Sequence, residues 1–309
     1  MQLAITFPGQ GSQAVNMLQG FADQPSIKAT FAEASQVLGQ DLWALITDDN
    51  AAEALNQTVN TQPVMLTAGV AIYRLWRALG GIAPVVMAGH SLGEYAALVA
   101  AEALSFADAV RLVRVRAQAM QDAVPAGAGA MAAVLGLEPN ILAQVCDQAA
   151  QGEVLSMVNL NAPGQIVIAG TASAVARGIA AAKTSGAKRA LLLPVSVPSH
   201  CALMQPAAEH LAQALADVTI QPPQIPVLQN ADVTAYEDPE AIRAALVRQL
   251  YLPVRWIETV QAIAARGVSD IAECGAGKVL LGLNKRIATG VNHLAWTDSA
   301  ALQASLHVA

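Results

Sequence analysis

Strand-length apolar runs alternate with segments of helical periodicity along most of the chain. Such a chain can fold around a mostly parallel sheet covered by helices, and around little else. Residues 3–7 form the first run, ending in Pro8-Gly9-Gln10-Gly11, and residues 85–88 form a second, buried one. Helical spacing runs over 27–46, 64–79 and 94–103, with Gly80-Gly81 closing the 64–79 helix. Phe106, Val110, Val113, Ala117 and Met120 mark one face of a further helix.

The middle of the chain reads differently. Strands are expected at 130–137, 154–160, 165–169 and 188–193, and helices at 139–151 and 172–185, with Asn161-Ala162-Pro163-Gly164 as the central turn. This β-α-β-β-α-β order is that of a ferredoxin-like unit. The expected organisation is an α/β protein whose hydrolase-like large domain (1–124 and 197–309) carries an inserted ferredoxin-like subdomain (125–196). The large domain resumes with a helix at 202–216, strands near Val227 and Ile271, and helices at 239–250 and 254–265.

Composition removes several function classes. Of the 309 residues, 54% are hydrophobic and 13% charged, about half the usual ~25% charged share and the reverse of a disordered chain. A net charge of −6, from 17 Lys+Arg against 23 Asp+Glu, argues against a nucleic-acid binder held by phosphate contacts. The longest stretch without polar side chains, 123–137, falls short of the ~20 residues of a membrane span, and Pro125, Gly127, Gly129 and Gly136 interrupt it. The start MQLAITFPGQG lacks a basic leader and a long apolar core. Cys146, Cys201 and Cys274 are odd in number and never paired as CxxC, as expected of reduced thiols in a cytoplasmic protein. A soluble cytoplasmic enzyme is the expectation, with no membrane or nucleic-acid partner.

Gly89-His90-Ser91-Leu92-Gly93 matches G-x-S-x-G. The bare pattern is weak, but here a strand precedes it and a helix follows, the context of a nucleophile elbow. On such a turn the Ser91 hydroxyl is lifted clear of the sheet edge. The following helix turns its N–H groups and positive end toward the same point. A serine needs a base, and five histidines compete: His90, His200, His210, His293 and His307. His200 follows a strand-like run, 190–197, just past Pro198, where active-site loops gather. His210 falls mid-helix, and His293 and His307 fall in an ordinary C-terminal segment. His90, on the elbow itself, shapes that turn. Spacing alone leaves the base open, with His200 in front.

Two glycine-rich segments invite phosphate-binding readings. Gly9-Gln10-Gly11-Ser12-Gln13-Ala14 fits G-x-G-x-x-A, yet no second strand follows within 30 residues, as a dinucleotide fold requires. A tight loop that turns a backbone N–H into the site is the better reading, with Leu92 supplying the other N–H of an oxyanion hole. Gly275-Ala276-Gly277-Lys278 lacks the first glycine and the Ser/Thr of a P-loop.

Together these pieces closely resemble the bacterial malonyl-CoA:acyl-carrier-protein transacylases, nearly end to end. The resemblance is carried by FPGQGSQ at 7–13, TQP at 61–63, AGHSLGEY at 88–95, GAMAAV at 129–134, NAPGQIVIAG at 161–170, PVSVPSHCALM at 194–204 and VRQLYLPVRW at 247–256. It implies Ser91 as the acylated nucleophile and His200 as its base, oriented by the main-chain carbonyl of Gln249. It implies an oxyanion hole from the N–H groups of Gln10 and Leu92, a pocket-lining Asn161, and His90 among the substrate-contacting positions. Arg116 matches the arginine that pairs with the malonyl carboxylate. A guanidinium fork meets a carboxylate with two parallel hydrogen bonds, and an acetyl group would leave that cation unpaired. Helical geometry alone does not single it out, because Arg114 and Arg116 both lie roughly 80° from the apolar face while Arg111 points away.

The resemblance further implies malonyl-CoA as substrate, acyl carrier protein as partner, and no metal or bound cofactor, the phosphopantetheine being carried by the partner. A monomer is expected. Docking an acidic carrier on an acidic chain calls for a local basic patch, from Lys183, Lys188 and Arg189 or from Lys285 and Arg286, although a solvated face is the commoner meaning of such clusters. A malonyl transferase of polyketide assembly would share every residue named. A serine thioesterase would share the elbow but gives no reason for a carboxylate-binding Arg116, and a non-catalytic carrier-binding module gives none for keeping both Ser91 and His200. The chain departs from the family where Gly275-Ala276-Gly277 replaces the common Gly-Pro-Gly, a segment remote in sequence from the other site residues.

Overall fold

The first apolar run is a strand with all five residues buried, and its alternation assigns them to two cores. Leu3, Ile5 and Phe7 face one core and Ala4 the other. The computed structural model describes residues 2–195 and 197–306, so Ser196, at the expected domain boundary, and His307 lie outside the described residues. The described strands are β1 (Leu3–Phe7), β2 (Val86–Gly89), β3 (Gly129–Leu135), β4 (Leu155–Ala162), β5 (Gln165–Thr171), β6 (Arg189–Leu192), β7 (Val227–Leu228), β8 (Asp270–Glu273) and β9 (Asn292–Ala295).

Five of these form one sheet in the order β7-β2-β1-β8-β9, parallel throughout. Strand order reverses at β1, with β2 on one side and β8 on the other, and a crevice opens beyond the strand ends at such a switch point. The loops leaving β1, β2, β7 and β8 emerge there together. On one face the helices Thr58–Ala78, Gly93–Ala100 and Phe106–Asp122 bury the larger core, closed by a stacked pair, Trp76 and Trp296, with centroids 4.4 Å apart. On the other, Ala4, Val86 and Ala88 meet Trp256, Val260 and Ile263 of helix Trp256–Ala264 and Leu280 and Leu283 of helix Val279–Ile287.

The second sheet is antiparallel, ordered β4-β5-β3-β6, the strand order of a ferredoxin-like unit. Ala132, Val134, Ile166 and Ile168 face its own helices, Pro139–Ala150 and Ala172–Thr184. Met131, Val167 and Ala169 face the other way, onto Cys201, the neighbour of His200. The Val254 N–H donates to Val158 O (2.8 Å) and its carbonyl accepts from the Leu160 N–H (3.0 Å), so β4 is stitched to the large domain. Arg286 adds a strap, donating to Gln165 Oε1 (2.6 Å) and to the Pro163 carbonyl.

Three expectations differ from what the structure places. The 27–46 helical run is interrupted: helix Pro25–Leu38 ends at Gly39, whose φ of 62° is left-handed, and Ala44–Thr47 forms a separate turn. The helix expected at 64–79 begins at Thr58, with Pro63 inside it. Its first turns carry Thr58, Asn60, Thr61 and Gln62, which are polar yet buried, so no apolar stripe announces them. The C-terminal segment read as ordinary holds helices Val279–Ile287 and Ser299–Leu306 and strand β9.

Two close approaches fix the turn after β2. A Cβ on Gly9 would overlap the His90 carbonyl oxygen, and one on Gly93 would overlap the Phe7 carbonyl oxygen. Both obstacles are backbone and cannot rotate aside. Gly93→Ala is therefore expected to lower stability by about 3 kcal/mol. Denaturant unfolding measures it, and a loss below about 0.5 kcal/mol, the range of an ordinary surface substitution, would contradict this packing.

Candidate active site

Ser91 sits at φ +52°, a conformation that L side chains rarely adopt. Its peptide groups are held from outside the turn. The Ser91 N–H donates to Asn230 Oδ1 (2.6 Å), and its carbonyl accepts from Gln249 Nε2 (2.9 Å). Asn230 also donates from Nδ2 to Gly89 O (2.6 Å), and its own N–H donates to Glu94 Oε2 (2.6 Å). Glu94 is fully buried, and burial pushes its carboxyl up to about 8 against the lowering effect of that N–H.

His200 also has positive φ, +65°. Its Nδ1 lies 2.7 Å from Gln249 O and its Nε2 2.8 Å from Ser91 Oγ. A carbonyl only accepts, so Nδ1 carries the proton and Nε2 presents a lone pair to the serine hydroxyl. Burial, and then the nearby Arg116 cation, push the imidazole down to about 3, so it is neutral at physiological pH. Among the described residues no carboxylate enters this arrangement, and the main-chain carbonyl does the orienting.

Helix Phe106–Asp122 starts at Ser105, whose Oγ accepts the Asp108 N–H (3.1 Å), a cap worth about 1 kcal/mol. Three turns on it delivers Arg116, only 1% exposed. Nη1 donates to Gln62 Oε1 (2.7 Å), and Nη2 to Gln249 Oε1 (3.0 Å) and Ser91 Oγ (3.1 Å). Tyr95 lies beneath, with its ring centroid 5.7 Å from the guanidinium carbon. Nε has no partner, and no carboxylate among the described residues forms an ion pair with this buried cation. Its flanking neighbours are committed elsewhere, Arg114 to Gln40 and Arg111 to Asp108.

These groups line a cleft of about 120 Å³ between the two sheets. Gln10, Ser91, Leu92, Arg116 and His200 come from the large domain, and Met131, Asn159 and Leu193 from the smaller one. Among the described residues the Gln10 and Leu92 N–H groups have no hydrogen-bond partner. The Gln10 side chain is anchored by the Thr58 hydroxyl, which donates to Oε1 (2.9 Å). His90 lines the cleft too, its Nε2 2.8 Å from Asn161 Oδ1. Asn161 itself, expected on the pocket wall, is not among the lining residues and sits behind His90. The asparagine of β4 that reaches the cleft is Asn159, where the β4–β5 register shifts. His210 is exposed, and His293 lies near Ala288 O, away from the site.

The sequence reading did not assign roles to Gln62, Glu94, Asn159 or Asn230. Glu94 had a signal, a lone carboxylate in the apolar run GEYAALVA, whereas Asn230 had none. The Gly275-Ala276-Gly277 departure, remote in sequence, is close in space. A Cβ on Gly275 would meet Pro8 Cγ, and one on Gly277 would lie 3.6 Å from Ser12, so this segment backs the Gln10 loop. Among the described residues no three His, Cys, Asp or Glu side chains group as metal ligands would.

Compared with known proteins, residues 5–283 match the family model described as acyl transferase domain. The chain belongs to the acyl transferase family. It is 56% identical over 308 residues to the malonyl CoA-acyl carrier protein transacylase of Escherichia coli strain K12, covering 99% of both chains. A crystal structure of an acyl carrier protein S-malonyltransferase from Vibrio cholerae superposes with a TM-score of 0.96 at 57% identity, covering 98% of this chain and 99% of that one. A malonyl-transacylase solved in complex with its type II PKS acyl-carrier protein gives 0.98 at 51%, covering all of both chains. This acyl transferase shares the two-sheet fold of those structures, and no helix of its described residues is long and apolar enough to cross a membrane.

Proposed function

We propose that this acyl transferase moves a malonyl group from malonyl-CoA to the phosphopantetheine thiol of acyl carrier protein, through a malonyl-Ser91 intermediate. The observation that carries the reading is the buried Arg116 guanidinium, with no ion-pair partner among the described residues, 3.1 Å from Ser91 Oγ. A buried cation beside the acylated atom favours an acyl group that brings its own carboxylate. The relatives' names point the same way.

The steps follow from the geometry. Ser91 Oγ attacks the thioester carbonyl while His200 Nε2 accepts its proton. The N–H groups of Gln10 and Leu92 hold the oxyanion, and Arg116 holds the malonyl carboxylate. The CoA sulfur leaves with the proton from Nε2; the carrier's thiol then gives its own proton to Nε2 and attacks the malonyl-Ser91 carbonyl, and the acyl–Oγ bond breaks as Oγ takes that proton back. The route requires no metal and no bound cofactor, as both thiols belong to substrates. We place the enzyme in the cytoplasm, as a monomer, in fatty acid assembly; a polyketide carrier offers the same thiol. The exposed Lys183, Lys188 and Arg189 are the basic patch we assign to carrier docking, because the Arg286 side chain is committed to Gln165 and Pro163.

Intact mass after mixing with malonyl-CoA tests this reading. One malonyl per chain is expected, discharged on adding carrier protein. No adduct, or one that carrier leaves in place, overturns it. The imidazole pushed down to about 3 gives a second expectation. A lowered pKa keeps the base in its neutral, proton-accepting form as pH falls. Thus kcat/KM should hold level from pH 8 to about pH 5.5, where an unperturbed histidine of pKa ~6.5 would already have cost about tenfold. An acid limb centred near pH 6.5 would contradict the burial of His200.

A further inference from the structure

Asn230 is fully buried and does not line the cleft, yet three 2.6 Å hydrogen bonds converge on it. Its side-chain amide spans the elbow, accepting from Ser91 N–H and donating to Gly89 O, so it clamps both sides of His90. A neutral amide does both at every pH. A carboxylate would set a second acceptor against the Gly89 carbonyl, and alanine would leave both elbow groups unpaired in the interior. The clamped turn holds Ser91 in a left-handed backbone region that is costly for a non-glycine residue, and the two hydrogen bonds offset that cost. Asn230 is oriented in turn by the Glu94 carboxyl, whose other oxygen is buried without a partner. Glu94 enters from the first turn of the helix that follows the elbow. The clamp therefore ties the ends of β2 and β7 and that helix into one unit.

We propose that Asn230, held by Glu94, is a positioning residue for acyl transfer. The pair locks the elbow so that the Ser91 hydroxyl stays on His200 Nε2 and the Leu92 N–H stays free for the oxyanion. The inference rests on Ser91 as nucleophile. It adds that the amide, which touches no substrate, sets the acylation rate.

The test is rapid-quench acylation by malonyl-CoA, read by intact mass, on the full chain and on Asn230→Ala, Asn230→Asp, Glu94→Ala and Glu94→Gln. Asn230→Ala, and Asn230→Asp with its carboxyl ionised, should reach the final occupancy of the unmodified chain, near one malonyl, with a rate constant lower by roughly 100-fold, the scale of a 1 Å misplacement. KM for malonyl-CoA should stay within about threefold, because no substrate contact is removed. Glu94→Gln should recover most of what Glu94→Ala loses, since an amide oxygen accepts the same Asn230 N–H. Where Asn230→Ala does not fold, Asn230→Asp and the Glu94 pair carry the same readings. The proposal is overturned by an unchanged rate constant per acylated chain, by a loss confined to lower final occupancy, or by Glu94→Gln no better than Glu94→Ala. An unmodified chain that takes up no malonyl overturns the Ser91 reading and this one with it, a failure distinguished by its place in the parent protein.

Discussion

Ser91→Ala is expected to lose the acyl-enzyme entirely and to lower transfer by on the order of 10⁴-fold or more. The size follows from the chemistry removed. Without Oγ no covalent bond holds the acyl group between donor and carrier, and what remains is a cleft that binds both thiols without a relay. Removing the nucleophile alone from a serine–histidine site costs about as much as removing the whole set, because the parts work only together. The alanine methyl fills nearly the same space, so the fold should survive. Retention of malonyl label at wild-type stoichiometry would place the nucleophile elsewhere.

Arg116→Ala is expected to reduce malonyl transfer by about 10³-fold while changing acetyl transfer far less. Truncating one partner of a buried, hydrogen-bonded charge pair costs about 2–5 kcal/mol, much of it from the carboxylate left unpaired in the cleft. An acetyl group brings no carboxylate, so in the variant it escapes that penalty. Two further effects ride on the same cation. It donates to Ser91 Oγ, and it is the second cause of the lowered His200 pKa. Both should relax together, so the variant's acid limb should move to higher pH. Parallel measurements of kcat/KM with malonyl-CoA and acetyl-CoA decide the matter. Equal losses with the two donors would leave Arg116 with a purely structural part.

Much of this was legible in the residues because packing and chemistry coincide there. Strand β1 and the elbow at 89–93 announce themselves, since buried parallel strands are continuously apolar and a backbone crossing at van der Waals distance demands glycine. The insert at Gly129–Leu192 was legible because its strands and helices alternate within a short span. Gln62 and the start of its helix were not, since polar residues facing a site break the apolar stripe that marks a helix. Asn230 was not legible either. A two-residue strand precedes it, and nothing local distinguishes an asparagine that clamps a distant turn from one in an ordinary loop. Asn161 and Asn159 show the finest limit. Both lie on β4, and a second register shift, between Leu160 and Ala162, leaves Asn161 out of the pairing while Asn159 pairs Val167.

The ladder joining Val158 and Leu160 to Val254 has a consequence for how the cleft could open. One wall of the cleft hangs from β4 and the other from the large sheet, so swinging them apart would break both of these hydrogen bonds at once. The same two bonds that carry β4 thus oppose any hinge between the walls, and widening the cleft would first have to undo them.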